Sequence, residues 1–424
     1  MPMTSRSRFV TFWSVLALFL AVRFAAAQEP PIVLKASTLL DGKGKVLHNT
    51  IIVVAGGKIA RVGGNVPKSA LTYDLTRLTV LPGWIDVHVH PTWHFDANGR
   101  LAGVPPGPTG ENEPKQQTAL AGAANSWKML AAGFTTVQSL GSPLDKDLKD
   151  AIDRQGLPGP RILTSLEPIF GRGDATGTPD ELRAIVQQHA KDGADVIKVF
   201  ASGSIREGGK PTLSQEQLDA ICGEAKKAGL RTVVHAYGPS VRMASQAGCT
   251  EIEHGLYATE GDLGFLAEHG TYFDPQAGLV IQNYLDNKAR YLGFGNYTET
   301  AFETMRKVLP EFQQLFRQAI TTRGLKVIFG TDAVAGAHGR NAEEFIYRVQ
   351  TCGQEPMDAM VSANSLAAEA LGLQNRTGSI APGLDADIIA LDGDPLKDIT
   401  VVRHVVFVMR GGRIFVNQVT GQAK

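Results

Sequence analysis

Short β-branched and apolar runs, punctuated by glycine turns, alternate with amphipathic stretches along most of this chain. Eight such runs fall between residues 83 and 378, at 84–90, 135–140, 161–165, 196–201, 232–237, 251–254, 272–275 and 326–331. Helical periodicity fills much of the space between them, at 179–191, 214–228, 240–247 and 300–322. Strands alternating with helices predict parallel βαβ units. Eight of them fit an α/β fold of the (β/α)8 TIM-barrel type, usually ~250 residues before insertions. A polar stretch rich in Gly and Pro, at 92–117, reads as an insertion over one mouth of the barrel.

The two ends carry a different pattern. Runs at 32–36, 50–54 and 58–62 are separated by Asp41-Gly42 and Gly56-Gly57, and runs at 386–391, 401–409 and 413–416 follow the same style with Gly411-Gly412. These are hairpin signatures. Neither end has strands enough to bury a face alone. Residues 28–82 and 379–424 are therefore expected to pair into one small β-sandwich beside a barrel at 83–378.

Composition adds little to that picture and excludes some partners. The 42 basic residues balance 42 acidic ones, so no net field draws in nucleic acid or an anionic membrane. Arg6 and Arg8 precede an apolar run at 9–22, and Ala25-Ala26-Ala27 offers the small residues of a cleavage site. Residues 1–27 thus read as a secretory signal, which places the mature chain in a periplasm or outside the cell. Arg23 interrupts the end of the run, and an uncleaved anchor is the alternative. Cys222, Cys249 and Cys352 are few and scattered, with no Cys-x-x-Cys spacing. They are expected to be buried small apolar residues rather than a disulfide framework.

Candidate chemistry gathers at the ends of the central strands. His88-Val89-His90 closes the first run, and side chains two apart on a strand face the same side, as a shared ion requires. Asp86 shares that face one layer deeper. Lys198 lies in Asp-Val-Ile-Lys-Val-Phe, His235 in Thr-Val-Val-His-Ala-Tyr, His254 in Glu-Ile-Glu-His-Gly and Asp332 in Phe-Gly-Thr-Asp-Ala. In a (β/α)8 barrel, catalytic groups come from such C-terminal strand ends. Imidazole and carboxylate donors suit zinc or a similar divalent ion. A lysine inside an apolar strand is costly while charged. Its neutral amine can add carbon dioxide to become a carbamate; taken alone, Lys198 reads as a lysine that snorkels or pairs with an acid, and the other five groups turn the reading to the carbamate.

The series His-x-His, Lys, His, His, Asp, with the opening Pro-Gly-Trp-Ile-Asp-Val-His-Val-His and the late segment at 378–387, resembles the amidohydrolase superfamily over nearly the whole mature chain. Within it the chain looks most like the imidazolonepropionase-like, binuclear-zinc branch, which includes Xaa-Pro and Xaa-Arg/Lys dipeptidases and ochratoxin-type amide hydrolases. The resemblance implies that His88, His90 and Asp332 hold one metal and His235 and His254 the other, bridged by N6-carboxylated Lys198 and a hydroxide. It implies cleavage of a linear amide in a dipeptide or N-acyl amino acid, with Asp332 as general base and then acid. Many relatives carry a Gly-Gly-His-Gly loop after the third strand; here the segment is Phe170-Gly171-Arg172-Gly173-Asp174, without that His.

Tyr237 shares the strand face of His235 and is a candidate oxyanion donor and substrate contact. Arg206, His338 and Arg340 are candidates to bind a substrate carboxylate, with Arg172 behind them. His48, His189, His269 and His404 have no partners at ligand spacing and are expected to be surface or structural residues. Trp93, His94 and Phe95 follow the first strand and are candidates for the pocket entrance, with a packed loop as the equal alternative. Rival readings are an ester, lactone, phosphotriester or cyclic-amide hydrolase on the same metals, a one-metal deaminase, and a scaffold without activity. A deaminase often carries Glu three residues after the fifth-strand His; that position is Gly238. The expected partner is a small-molecule substrate, and a homo-oligomer is compatible with the resemblance.

Overall fold

The computed structural model describes residues 30–104 and 113–419. The expected signal at 1–27 lies outside the described residues, as does the middle of the 92–117 insertion.

The two ends of the chain meet in one sheet of eight strands. The first five are β1 (Ile32–Leu40), β2 (Val46–Ala55), β3 (Lys58–Val62), β4 (Leu71–Asp74) and β5 (Thr79–Pro82). The central strands follow: β6 (Trp84–Val89), a ribbon of β7 (His94–Phe95) and β8 (Leu101–Ala102), then β9 (Phe134–Ser139), β10 (Arg161–Thr164), β11 (Ile169–Phe170), β12 (Val196–Phe200), β13 (Arg231–Ala236), β14 (Glu251–His254), β15 (Tyr272–Asp274) and β16 (Lys326–Val327). The last three, β17 (Ile388–Leu391), β18 (Val405–Arg410) and β19 (Arg413–Asn417), return to the first sheet.

The join is β5 against β17, antiparallel, with Ile388 opposite Pro82 and Leu391 opposite Thr79. Both Gly-Gly hairpins have positive φ at each glycine, 56° and 77° at Gly56-Gly57 and 55° and 80° at Gly411-Gly412. That is the backbone of the tight turn whose twist matches paired strands. The turns also pack on each other: a Cβ on Gly412 would lie 2.8 Å from the Gly57 Cα. Leu34, Ile52 and Ile59 from one end share a core with Ile388, Phe407 and Met409 from the other. The hydrogen-bonded path is a single sheet, where two facing sheets were expected.

The central segment is α/β, with parallel strands in two arcs. One holds β6, β9 and β10, the other β11 to β16. Backbone bonds tie the arcs together: Val87 N donates to the Phe329 carbonyl at 3.0 Å, His90 N to that of Ala333 at 2.8 Å, and Asp195 N to that of Thr164 at 2.8 Å. The strands begin and end within a residue or so of expectation, except the last. It was expected over 326–331 and is regular only at Lys326–Val327. Beyond it regular pairing gives way to single bonds, from Ile328 N to Phe273 and from Val87 N and His90 N to Phe329 and Ala333, and Gly330, Thr331 and Asp332 lie in this stretch. Helices occupy Pro179–Asp192, Gln215–Lys227, Pro239–Gln246 and Glu299–Thr321, close to the expected spans. Reciprocal caps, Thr178 with Glu181 and Ser214 with Gln217, start two of them and satisfy otherwise orphaned N–H groups. Among the described residues no helix is long and apolar enough to cross a membrane.

One expectation fails in this core. Cys222, on the Gln215–Lys227 helix, and Cys249, just before β14, are joined by a disulfide, while Cys352 is free and buried. Both partners belong to one hydrophobic cluster. The fold brings them together across 27 positions of sequence, a pairing that no local spacing announces.

Candidate active site

Register places the inward face. In the parallel ladder Phe200 pairs with His235, and His235 with Glu253. Lys198, Phe200, His235, Tyr237, Glu251 and Glu253 therefore point to one side, by the two-residue repeat of a strand. His254 has the opposite parity. Its left-handed backbone, φ +68°, breaks the alternation, and its ring comes within 4.6 Å of the His235 ring, centroid to centroid.

Asp332 is delivered in a similar way, from a residue with φ +50°. Its neighbour Thr331 is fastened to Asp86 through its backbone N–H at 3.0 Å and its hydroxyl at 2.6 Å, and Asn341 donates to the same carboxylate at 2.7 Å. Burial pushes the Asp86 carboxyl up to about 7 against these bonds. Asp86 thus serves as a post beneath the ligands, joining the first strand to the last loop.

The six expected ligands come together. His88, His90 and Asp332 offer donor atoms all within 4.8 Å of one another, with Asp332 Oδ1 at 3.4 Å from His88 Nε2 and 3.1 Å from His90 Nε2. The His88 ring centre is 5.5 Å from that of His254. Lys198 is fully buried, and its Nζ has no hydrogen-bond partner among the described residues. Burial lowers the Lys198 ammonium, with the charges of Glu253 and Asp332 opposing. Burial also holds His88 and His235 well below the usual imidazole range, and His254 down at about 4. For Asp332 burial acts upward, but the bond from His90 and the charges of His90, His254 and Lys198 outweigh it and keep the carboxyl low. The cluster is a set of imidazoles, a carboxylate and an orphaned amine. Such a donor set is poorly satisfied by itself and suits divalent cations.

A second layer escaped the sequence reading. Glu253 Oε2 lies 2.6 Å from His88 Nδ1. Gln276 bridges His254 Nδ1 (2.5 Å), Glu253 (3.0 Å) and Asp274 (2.8 Å). Asp274 is paired with the fully buried Arg348 at 3.0 Å, and Arg348 with Glu344 at 3.2 Å. Gly330 permits this: a Cβ there would meet Asp274 Oδ2 at 2.0 Å. The alternating Glu251-Ile252-Glu253 was a visible signal, two acids on one face of a buried strand. Gln276 and Arg348 carried none.

The ligands line a cavity of about 640 Å³, together with Trp93, Tyr237, Tyr284, Phe294, Tyr297 and Phe312. Arg206 also lines it. Its guanidinium carbon sits 4.1 Å from the centre of the Tyr297 ring, and its Nε donates to Asn296 Oδ1 at 2.8 Å. Arg206 has no carboxylate partner among the described residues. Arg172, exposed, is at the rim of the same cavity. His338 and Arg340 do not line it. His338, which burial drives down to about 3, donates from Nε2 to the Trp93 carbonyl at 3.0 Å, behind a ring that stacks on His90 at 5.0 Å. Arg340 pairs with Glu343 at 2.8 Å. Their place in the sequence just after the eighth strand suggested the cavity, but the loop turns both away from it. His94 and Phe95 are likewise absent from the lining; His94 pairs with Glu113 at 3.0 Å.

Residues 79–415 match the model of the amidohydrolase family. The chain belongs to that family. It is 27% identical to the ochratoxinase of Aspergillus niger over 90% of this chain and 86% of the relative. It is 25% identical to an imidazolonepropionase of Deinococcus deserti, over 83% and 88%. A crystal structure of a Xaa-Pro dipeptidase with methionine in its active site superposes with a TM-score of 0.80 at 29% identity, covering 91% of this chain and all of the other. The protein is thus a hydrolase acting on amide bonds, of a family that typically uses divalent metals.

Proposed function

We propose that this amidohydrolase cleaves the linear amide of a dipeptide or N-acyl amino acid, an ochratoxin-like amide included, using two divalent ions, zinc by donor type. The observation that carries this reading is Arg206: a half-buried guanidinium without an acid partner among the described residues, on the wall of the cavity that also holds the six ligand-type side chains. A bidentate cation there suits a free carboxylate on the substrate. The likeness to a Xaa-Pro dipeptidase and to an ochratoxinase supports the same bond class. The closed (β/α)8 barrel belongs to this reading too, supported by the family and by the bonds that tie the two arcs together.

His88, His90 and Asp332 would hold one ion, His235 and His254 the other, with Lys198 between them as a carbamate. Its amine adds to the carbon of CO2, and the proton lost from nitrogen goes to water. When bound, two such ions would lower the pKa of a water to about 7 and polarise the scissile carbonyl. The chain's own groups supply the rest. Asp332 takes the proton from the attacking water and hands it to the leaving nitrogen. The Tyr237 hydroxyl donates to the carbonyl oxygen as charge develops there; losing one such donor commonly costs about 10²–10³ in rate. Arg206 fixes the carboxylate end, and the aromatic wall excludes water from the apolar part of the substrate.

The Cys222–Cys249 bond supports an oxidising compartment, in keeping with a secretory signal at 1–27 and a periplasmic or secreted enzyme. The test is a panel of dipeptides and N-acyl amino acids, read by ninhydrin, beside esters, lactones, phosphotriesters and cyclic amides. Release of free amino acid is expected. Turnover confined to the non-amide members, or to cyclic amides, would contradict the reading.

A further inference from the structure

Gln276 plays no part in the reaction drawn above, yet it touches both halves of the ligand cluster. It lies two residues beyond β15, 2% exposed, with a left-handed φ of +50° that non-glycine residues seldom adopt. Three of its four contacts determine how its amide is turned; in the fourth and longest, Nε2 lies 3.4 Å from His88 Nδ1. Nε2 lies 3.0 Å from Glu253 Oε2 and 2.8 Å from Asp274 Oδ2. Two carboxylate oxygens call for the NH2 end, which leaves Oε1 facing His254 Nδ1 at 2.5 Å. An amide oxygen only accepts. The ring nitrogen therefore carries the proton, and His254 is left with Nε2 as its free lone pair. Glu253, held by the same amide, accepts in turn from His88 Nδ1 at 2.6 Å, which frees Nε2 of His88.

We propose that Gln276 is a positioning residue for both ion sites. One amide sets the tautomer and pitch of His254 directly, and those of His88 through Glu253. The inference rests on the two-ion reading above and adds one side chain on which both sites depend. A histidine ligand is normally fixed by a partner on its other ring nitrogen, and losing that partner commonly weakens metal binding by about 10–100-fold. Here a single amide serves two rings that would belong to different ions.

Two variants separate its two ends. Gln276→Leu removes both, whereas Gln276→Glu keeps an acceptor for His254 Nδ1 and withdraws the donors from Glu253 and Asp274. Wild type and variants are titrated with Zn2+ against a chromophoric chelator, and Co2+-loaded samples give visible ligand-field spectra. The thermal midpoint of each metal-free protein is measured alongside. In Q276L both ions are expected to bind about 10–100-fold more weakly, with an altered Co2+ spectrum and a metal-free midpoint close to wild type. Should Q276L not fold, Q276E decides, by weakening one ion with its metal-free midpoint kept. Wild-type affinity for both ions in the folded variants would overturn the proposal. So would unfolding of both metal-free variants, which would make Gln276 a packing residue. A wild type that binds no ion ends the two-ion reading and this inference with it; a wild type with two ions beside an unaffected variant ends only the inference.

Discussion

Glu253 Oε2 stands 2.6 Å from His88 Nδ1, and neither residue is more than 2% exposed. Burial raises the Glu253 carboxyl well above its usual range, and the charges of Asp274 and Glu251 add to the effect. A buried acid in that position is an expense to the fold unless it orients its neighbour. Glu253→Gln should therefore weaken ion binding by about 10–100-fold, and excess Zn2+ in the assay should restore most of the lost activity. Metal content after dialysis, with activity against added Zn2+, checks this. A variant with wild-type metal content after dialysis would show that Glu253 is only filling space.

Lys198 is the most exacting residue of the account. Its fully buried amine has no hydrogen-bond partner among the described residues, and Lys198→Ala removes the side chain that, as a carbamate, would join the two ions. The variant should lose at least as much metal affinity as a missing outer partner causes, about 10–100-fold, with activity falling alongside. A short carboxylate such as formate should restore part of it by standing in for the lost group. Full activity and full metal content in Lys198→Ala would rule out the carbamate.

Arg206 should act on binding rather than on bond breaking. A charged hydrogen bond of this kind contributes about 1.5–3 kcal/mol, or roughly 10- to 100-fold. Arg206→Met is expected to raise KM by that factor for substrates with a free carboxylate and to leave kcat nearly unchanged. Carboxamide analogues should show no such difference. Equal losses on both kinds of substrate would remove Arg206 from the carboxylate's site.

Asp145 supplies a test of stability against pH away from the ligands. It is fully buried, bonded to the hydroxyls of Ser139 at 2.7 Å and Thr164 at 3.1 Å, and burial pushes it up to about 7 from the ordinary 3.8. The native state thus binds a proton that the unfolded chain has released between those values. Its stabilising effect is complete below about pH 4 and is lost as pH rises to about 7. Asp145→Asn should flatten that decline, by an amount on the order of a few kcal/mol across the window. Denaturant unfolding of both proteins at pH 4.5, 6 and 7.5 checks it. Parallel pH dependences would mean that Asp145 keeps its charge in the fold.

Much of this was legible in the sequence because local pattern carries it. Strand alternation located His88, His90, Lys198 and His235, and the Gly-Gly turns located the two outer hairpins of the sheet that the chain ends share. His254 and Asp332 were found by residue type, although both sit on left-handed backbone that the simple alternation does not foresee. What escaped was set by distance along the chain. Gln276, Asp274 and Arg348 meet only after the central strands are assembled, and no spacing pairs Cys222 with Cys249. The placement of His338 and Arg340 failed for a related reason: sequence order put them after the eighth strand, but the direction of a loop is decided by what it packs on, here Trp93 and Glu343.

The central claim is a pair of cations at this cluster, and counting them is the most direct test. Protein purified in the presence of zinc, then freed of loosely held metal and analysed by inductively coupled plasma mass spectrometry, should hold close to two divalent ions per chain. Amide hydrolysis should disappear on chelation and return as the second ion is restored. One ion per chain, or none, with hydrolysis undiminished, would contradict the account.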